Sequence, residues 1–181
     1  MTADGTLIEL IFEPNCADSA DNHGQKLQWP ITMFIIGNDN CKIRYHLIGF
    51  PGSSHDNRVW KWGKIYKERS KLFSPFQYII MDTAFEPCGC VVSAMKRDEG
   101  NGNSDAQLFN HVIAKSRVRS EHLNEIIKSR FSGAMRKIRT IITEKKESLK
   151  EILILIECAV ILHNMLLDSG DSKDDDGVED E

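Results

Sequence analysis

The chain has 181 residues, 41% of them hydrophobic and 28% charged, with a formal net charge of −4. That length supports one domain burying roughly 70% of its unfolded surface without staples, and the composition excludes both a collagenous and a wholly disordered chain. Five scattered cysteines (Cys16, Cys41, Cys88, Cys90 and Cys158) argue against a secreted disulfide framework and for a reducing compartment.

Met1 is followed by an acidic, non-apolar start, so no secretory leader is expected. The apolar run at 152–167 is interrupted by Glu157, His163 and Asn164. It falls short of the ~20 residues needed to cross a bilayer, so it reads as a buried core helix and not a membrane span. Charge is unevenly distributed. Residues 111–150 carry a net +7 and residues 168–181 a net −7. A basic segment of that size can attract a phosphate backbone, although a solvated helical face followed by a disordered acidic tail accounts for the same pattern.

In chain order, residues 3–12 alternate and are β-rich, predicting a first strand with Asp4 near its start. Residues 13–28 carry Pro14, Asn15 and Gly24 and read as a loop. Two β-branched runs, 29–36 and 42–49, are joined by Gly37-Asn38-Asp39-Asn40, a hairpin signature whose turn residues tolerate positive φ. Residues 55–69 read as a helix capped by Ser54 or Asp56, with Val59, Trp62 and Tyr66 on its buried face.

A short strand at 78–81, YIIM, then delivers Asp82 at its carboxyl end, where open α/β sheets hold their chemistry. Asp is equally at home there as a turn or cap residue. Residues 90–95 predict another strand, and 98–105 a polar loop. Cys88-Gly-Cys90 resembles half of a metal site, but no second Cys/His pair has finger or ribbon spacing.

Ser104 and Gln107 form a capping box. From there an apolar stripe (Leu108, Phe109, Val112, Ile113, Leu123, Ile127, Phe131, Ala134) predicts a helix of about 28 residues, some 42 Å long, with a possible break near Ser116 and a stop at Gly133. Arg117, Glu121, Glu125 and Lys128 lie opposite that stripe, where a solvated ion-pair face is the plain expectation. Residues 136–150 read as a basic connector or frayed helix. A second capping box at Ser148 opens a helix to about Leu167 that is apolar nearly all round.

Three hairpin-type strands, a helix, a strand ending in an acid, another strand and a long helix bearing Glu121 make up the order of an α/β, ribonuclease-H-like mixed sheet flanked by helices. Several blocks then recur in register: Asp4-Gly5-Thr6, GFPGSSHDNRVW at 49–60, YIIMDTAF at 78–85, FNHVIAKSRVRSEHL at 109–123, IKSRF at 127–131 and ECAVILHNML at 157–166. Together they resemble the DDE endonuclease domain of PIF/Harbinger transposases and the nucleases derived from them, from Asp4 to Leu167.

The resemblance implies a domain at 1–168 and an acidic disordered tail at 169–181. It implies a DNA endonuclease or transposase that hydrolyses phosphodiester bonds with two divalent ions, Mg²⁺ or Mn²⁺, held by Asp4, Asp82 and Glu121. Asp56 and His122 would stand behind these acids, and Arg117, Arg119, Lys128 and Arg130 would meet DNA. It further implies a nuclear location and a Myb-like DNA-binding partner, with no membrane association.

The chain departs from the family pattern in three respects. Only Met1-Thr2-Ala3 precedes the first acid, which implies truncation of the DNA-recognition region. Met81 stands where the family has Gly. Glu125 and Ser129 replace small residues, and Glu125 is expected to crowd Glu121 with like charge. The rival reading is a catalytically silent remnant that binds DNA or protein.

Overall fold

A computed structural model describes residues 1–10, 29–95, 104–138 and 146–170. Most of the loops expected at 13–28 and 98–105, together with Cys16 and the tail from 171, lie outside the described residues.

Three long strands come first: β1 (Thr2–Leu10), β2 (Trp29–Gly37) and β3 (Ile43–Pro51). They form an antiparallel meander, with β2 between β1 and β3. The turn between β2 and β3 closes through the Asn38 side chain, which accepts the Lys42 amide at 2.9 Å. The left-handed residue is Cys41 (φ 54°) and not one of residues 37–40.

After short helices comes β4 (Ile79–Met81), which pairs parallel to β1, and then β5 (Val91–Ser93), parallel to β4. A strand not anticipated from sequence, β6 (Lys137–Ile138), pairs parallel with Glu9 and Leu10. The result is a six-stranded mixed sheet in the order β3-β2-β1-β4-β5, with β6 joined to β1. This is an α/β fold consistent with a ribonuclease-H-like arrangement.

Both faces of the sheet are covered, which is why the central strands read as almost continuously apolar. Successive side chains point to opposite faces. Met33 and Ile35 therefore join Ile8 and Leu10 in one core, with Leu123 and Ile127 of the long helix α4 (Ser104–Arg130) and Ile152 and Ile156 of α6 (Lys146–Asp168). Phe34 and Ile36 join Ala3, Ile79 and Met81 in the other, beneath α1 (Asp56–Trp62). The short α5 (Ser132–Met135) links α4 to β6 and adds Ala134 and Met135 to the first core.

Three helical expectations are corrected. The helix expected over 55–69 is broken into α1, α2 (Lys64–Lys67) and α3 (Arg69–Leu72), because Gly63 takes an extended conformation after Trp62. Within α1 the buried pair is Val59 and Trp60, while Trp62, the last residue of α1, is 63% exposed. Trp60 packs on Phe34 and Tyr66, with ring centroids 5.7 and 5.5 Å apart. No side chain caps α1.

The apolar stripe of α4, which runs unbroken through Ser116, is buried only in part: Ile113, Leu123 and Ile127 are covered, while Leu108 and Val112 are exposed. Finally, α6 is not buried all round. It presents Ile152, Ile156, Ala159 and Val160 inward and leaves Ile154, Leu155, Ile161, Leu162 and Met165 exposed, because the sheet and α4 lie on one side of it.

The polar residues that interrupt α6 fasten it. The Asn164 side chain bonds both the amide and the carbonyl of Ile43 (2.9 and 2.8 Å), and buried His163 bonds the Cys41 carbonyl at 2.8 Å. Among the described residues, no helix is long and apolar enough to cross a membrane.

The unequal burial of the two neighbouring tryptophans makes them separable. Trp60→Ala should cost about 3–5 kcal/mol of unfolding free energy, the range for emptying a large aromatic site. Trp62→Ala should cost less than about 1 kcal/mol, mostly its contact with the Lys67 ammonium. Urea unfolding of both variants checks this, and equal losses would overturn the assignment of Trp60 as the buried ring and Trp62 as the exposed one.

Candidate active site

The parallel pairing of β1 with β4 sets Thr2 opposite Ile80. Two residues further along each strand, Asp4 and Asp82 are neighbours on the sheet face that carries α4. Asp82 follows the last residue of β4, and its Oδ1 accepts from both the amide and the hydroxyl of Thr83. It is thus a turn-capping group as well as a carboxylate at the carboxyl end of an interior strand. Asp4 Oδ1 accepts the Gly5 amide at 2.9 Å.

Asp56 approaches from the opposite face. It lies in the first turn of α1, so close to β1 that a Cβ on Gly5 would stand 2.4 Å from its Oδ1. Gly5 is what allows that approach.

Above Asp4 and Asp82, α4 presents Arg117, Glu121, Asn124 and Lys128, spaced four, three and four residues apart and hence on one helical face. Arg117 reaches between the acids, with Nη1 3.4 Å from Asp82 Oδ1 and Nη2 3.7 Å from Glu121 Oε1. Asn124 Nδ2 lies 3.5 Å from Asp4 Oδ2. Sequence reasoning missed Asn124, although its position one turn beyond Glu121 was the available signal. Among the described residues, its Oδ1 and the Nε of Arg117 are buried without hydrogen-bond partners.

The electrostatics match this crowding. The Asp4 pKa is raised to about 6, chiefly by burial, with Asp56 and Asp82 adding repulsion against the Gly5 hydrogen bond and the Arg117 charge. Asp56 is raised in the same way, by burial first and then by Asp82. Lys128 is lowered, by burial above all, although Glu125, Glu9 and Asp4 pull the other way.

The remaining expected site residues are more dispersed. Glu121 keeps 60% of its side chain exposed. Glu125 does not crowd it, since its carboxylate pairs with Arg136 at 2.8 Å. His122 is half-buried and Arg119 exposed. Arg130, about 13 Å further along the helix at 1.5 Å per residue, lies with Nη1 3.4 Å from His163 Nδ1.

Among the described residues, no three acidic, histidine or cysteine side chains converge into a preassembled metal cage. The donor chemistry nonetheless suits a hard divalent cation. Two adjacent carboxylates, one with its pKa raised to about 6 chiefly by burial, and the Asn124 Oδ1 are all oxygen donors. Arg117 is the cation now beside them. The Cys88 and Cys90 sulfurs approach to 3.7 Å, and burial pushes the Cys90 thiol up to about 11, away from the thiolate form that binds metal.

Because the Asp4 pKa rises from 3.8 to about 6 on folding, the folded state holds its proton more tightly than the unfolded state. Stability must therefore fall as pH climbs through that window. Without divalent ions, Asp4→Asn should match wild type near pH 4 and exceed it by about 2 kcal/mol near pH 7, allowing for partial solvent screening. Urea midpoints at the two pH values test this, and a variant that is less stable at pH 7 would refute it.

A family model described as DDE superfamily endonuclease matches residues 3–164. No curated protein and no solved structure matches the chain.

Proposed function

The chain belongs to the DDE superfamily endonucleases, a transposase-type nuclease family acting on DNA, and on that premise we propose that it is a Harbinger-type, divalent-metal-dependent DNA nuclease domain. The observation that carries this reading is the juxtaposition of Asp4 and Asp82 at the β1/β4 edge, beneath an α4 face that bears Glu121. The in-register blocks at 49–60 and 109–123 support the Harbinger assignment. A nuclear location and a Myb-like partner follow from that assignment alone.

In this reading Asp4, Asp82 and Glu121 hold one or two Mg²⁺ or Mn²⁺ ions. When bound, these supply Lewis-acid activation of the attacking hydroxyl and neutralise charge on the leaving oxygen. The protein's own contributions are orientation and charge. Asn124 holds the Asp4 carboxylate toward α4, and Thr83 fixes that of Asp82.

Arg117 links Asp82 to Glu121, offsets their repulsion, and presents a guanidinium suited to a scissile phosphate. Asp56 stands behind the acids, and its negative charge favours cation binding at the rim. It borders a cleft of about 550 Å³ that continues past Gly5 and Gly52. His122, Arg119, Lys128 and Arg130 offer further phosphate contacts.

Calorimetry with Mn²⁺ tests the cradle without knowledge of a DNA site. Wild type should bind and Asp82→Asn should lose at least about tenfold in affinity, since a first-ligand carboxylate is removed. The same pair is then compared on supercoiled plasmid, where nicking should require both the metal and Asp82. Equal or absent Mn²⁺ binding in both proteins would leave the rival reading, a DNA- or protein-binding remnant without metal chemistry.

A further inference from the structure

Behind the acids, on the α4 side of the sheet, lies an open groove of about 700 Å³. Its floor includes Thr2 and Ile80, each two residues before Asp4 or Asp82 and so roughly 6–7 Å along the strand from it. One wall holds Phe76 and Tyr78, 92% and 51% exposed. The other is a stripe of His111, Lys115 and Arg119 at four-residue intervals on α4. Among the described residues, these three side chains make no ion pair.

That combination has a specific chemistry. Two aromatic rings with free faces oppose cations spaced about 6 Å apart, at four helical residues of 1.5 Å, close to the separation of successive phosphates in an extended strand. Lys115 and Arg119 outweigh the one acid on the rim, Asp39. Duplex DNA would leave the rings without partners, because its base faces are already stacked. An unpaired strand presents base faces to one wall and phosphates to the other.

We propose that this groove binds single-stranded DNA next to the acids, receiving the strand that leaves the β1/β4 edge through stacking on Phe76 and Tyr78 and phosphate contacts from Lys115 and Arg119. The inference rests on the nucleic-acid reading of the site but not on catalysis.

The test is fluorescence anisotropy of a labelled ten-nucleotide thymidine strand and of a matched duplex, with the full chain in EDTA. Wild type should bind the single strand more tightly than the duplex. Phe76→Ala and Tyr78→Ala should each weaken single-strand binding roughly 5- to 100-fold, the range for one stacked base, without changing the salt dependence. Lys115→Gln combined with Arg119→Gln should reduce the slope of log affinity against log salt by about 1.4, or 0.7 per phosphate released. Phe76→Trp should retain binding, with its indole fluorescence quenched by the oligonucleotide.

Circular dichroism melts of the alanine variants establish that they fold. Single-strand affinity no greater than duplex affinity, or unchanged by both alanine substitutions, overturns the proposal. If metal-dependent nicking persists in that case, the nuclease reading stands and only the groove falls. Failure to bind either form of DNA overturns the groove, and the nuclease reading falls with it only if Mn²⁺-dependent nicking is also absent.

Discussion

The parallel pairing of β1 with β4 is the constraint on which the rim depends. It sets Asp4 beside Asp82 on one sheet face, while Gly5 lets Asp56 come in from the other. Carboxylates brought together and partly withdrawn from water repel one another and resist ionisation. The fold does not relieve this by moving them apart. It supplies a guanidinium, Arg117, from a helix whose position is set by a separate core. The relief is partial, since Asp4 stays raised to about 6 and the Arg117 Nε has no hydrogen-bond partner.

The long helix α4 divides its work along its length. Its second half is anchored, with Leu123, Ile126 and Ile127 buried against the sheet, and this anchoring fixes the heights of Glu121, Asn124 and Lys128 over β1. Its first half is held by buried Ala106 and Ile113 and by Asn110, which bonds the Met95 amide and carbonyl, while Leu108, Val112, Lys115 and Arg119 stay in solvent. The open groove lies between that half and the chain entering β4.

Polar groups placed where an apolar side chain would stabilise more are often the mark of a working site. Here they fall into two kinds. His163 and Asn164 inside α6 are matched to backbone groups of Cys41 and Ile43, so they specify where the helix docks. Among the described residues, Arg117 Nε and Asn124 Oδ1 are buried without hydrogen-bond partners beside the raised Asp4 carboxyl, and Trp60 Nε1 is likewise unpaired in the other core. Two of these three unpaired atoms therefore lie among the acids, in contrast to the satisfied pair in α6.

By itself, the sequence determined the types and order of the main elements: three strands with a tight turn, a short strand ending in Asp82, and a long helix starting at the Ser104 capping box. Hydrophobic period and cap chemistry are local properties and need only neighbouring residues. It also determined family membership, through blocks such as GFPGSSHDNRVW and SRVRSEHL, which the match over residues 3–164 bears out at the level of the DDE superfamily. Only the tertiary structure decided which tryptophan is buried, since Trp60 is the one that packs on Phe34 of β2, and which side of α6 is covered. Only it brought β6 against Glu9 and Leu10, paired Glu125 with Arg136, and set Arg117 and Asn124 among the acids. Periodicity names the faces of an element, but distances between side chains remote in the chain are set by how the layers stack.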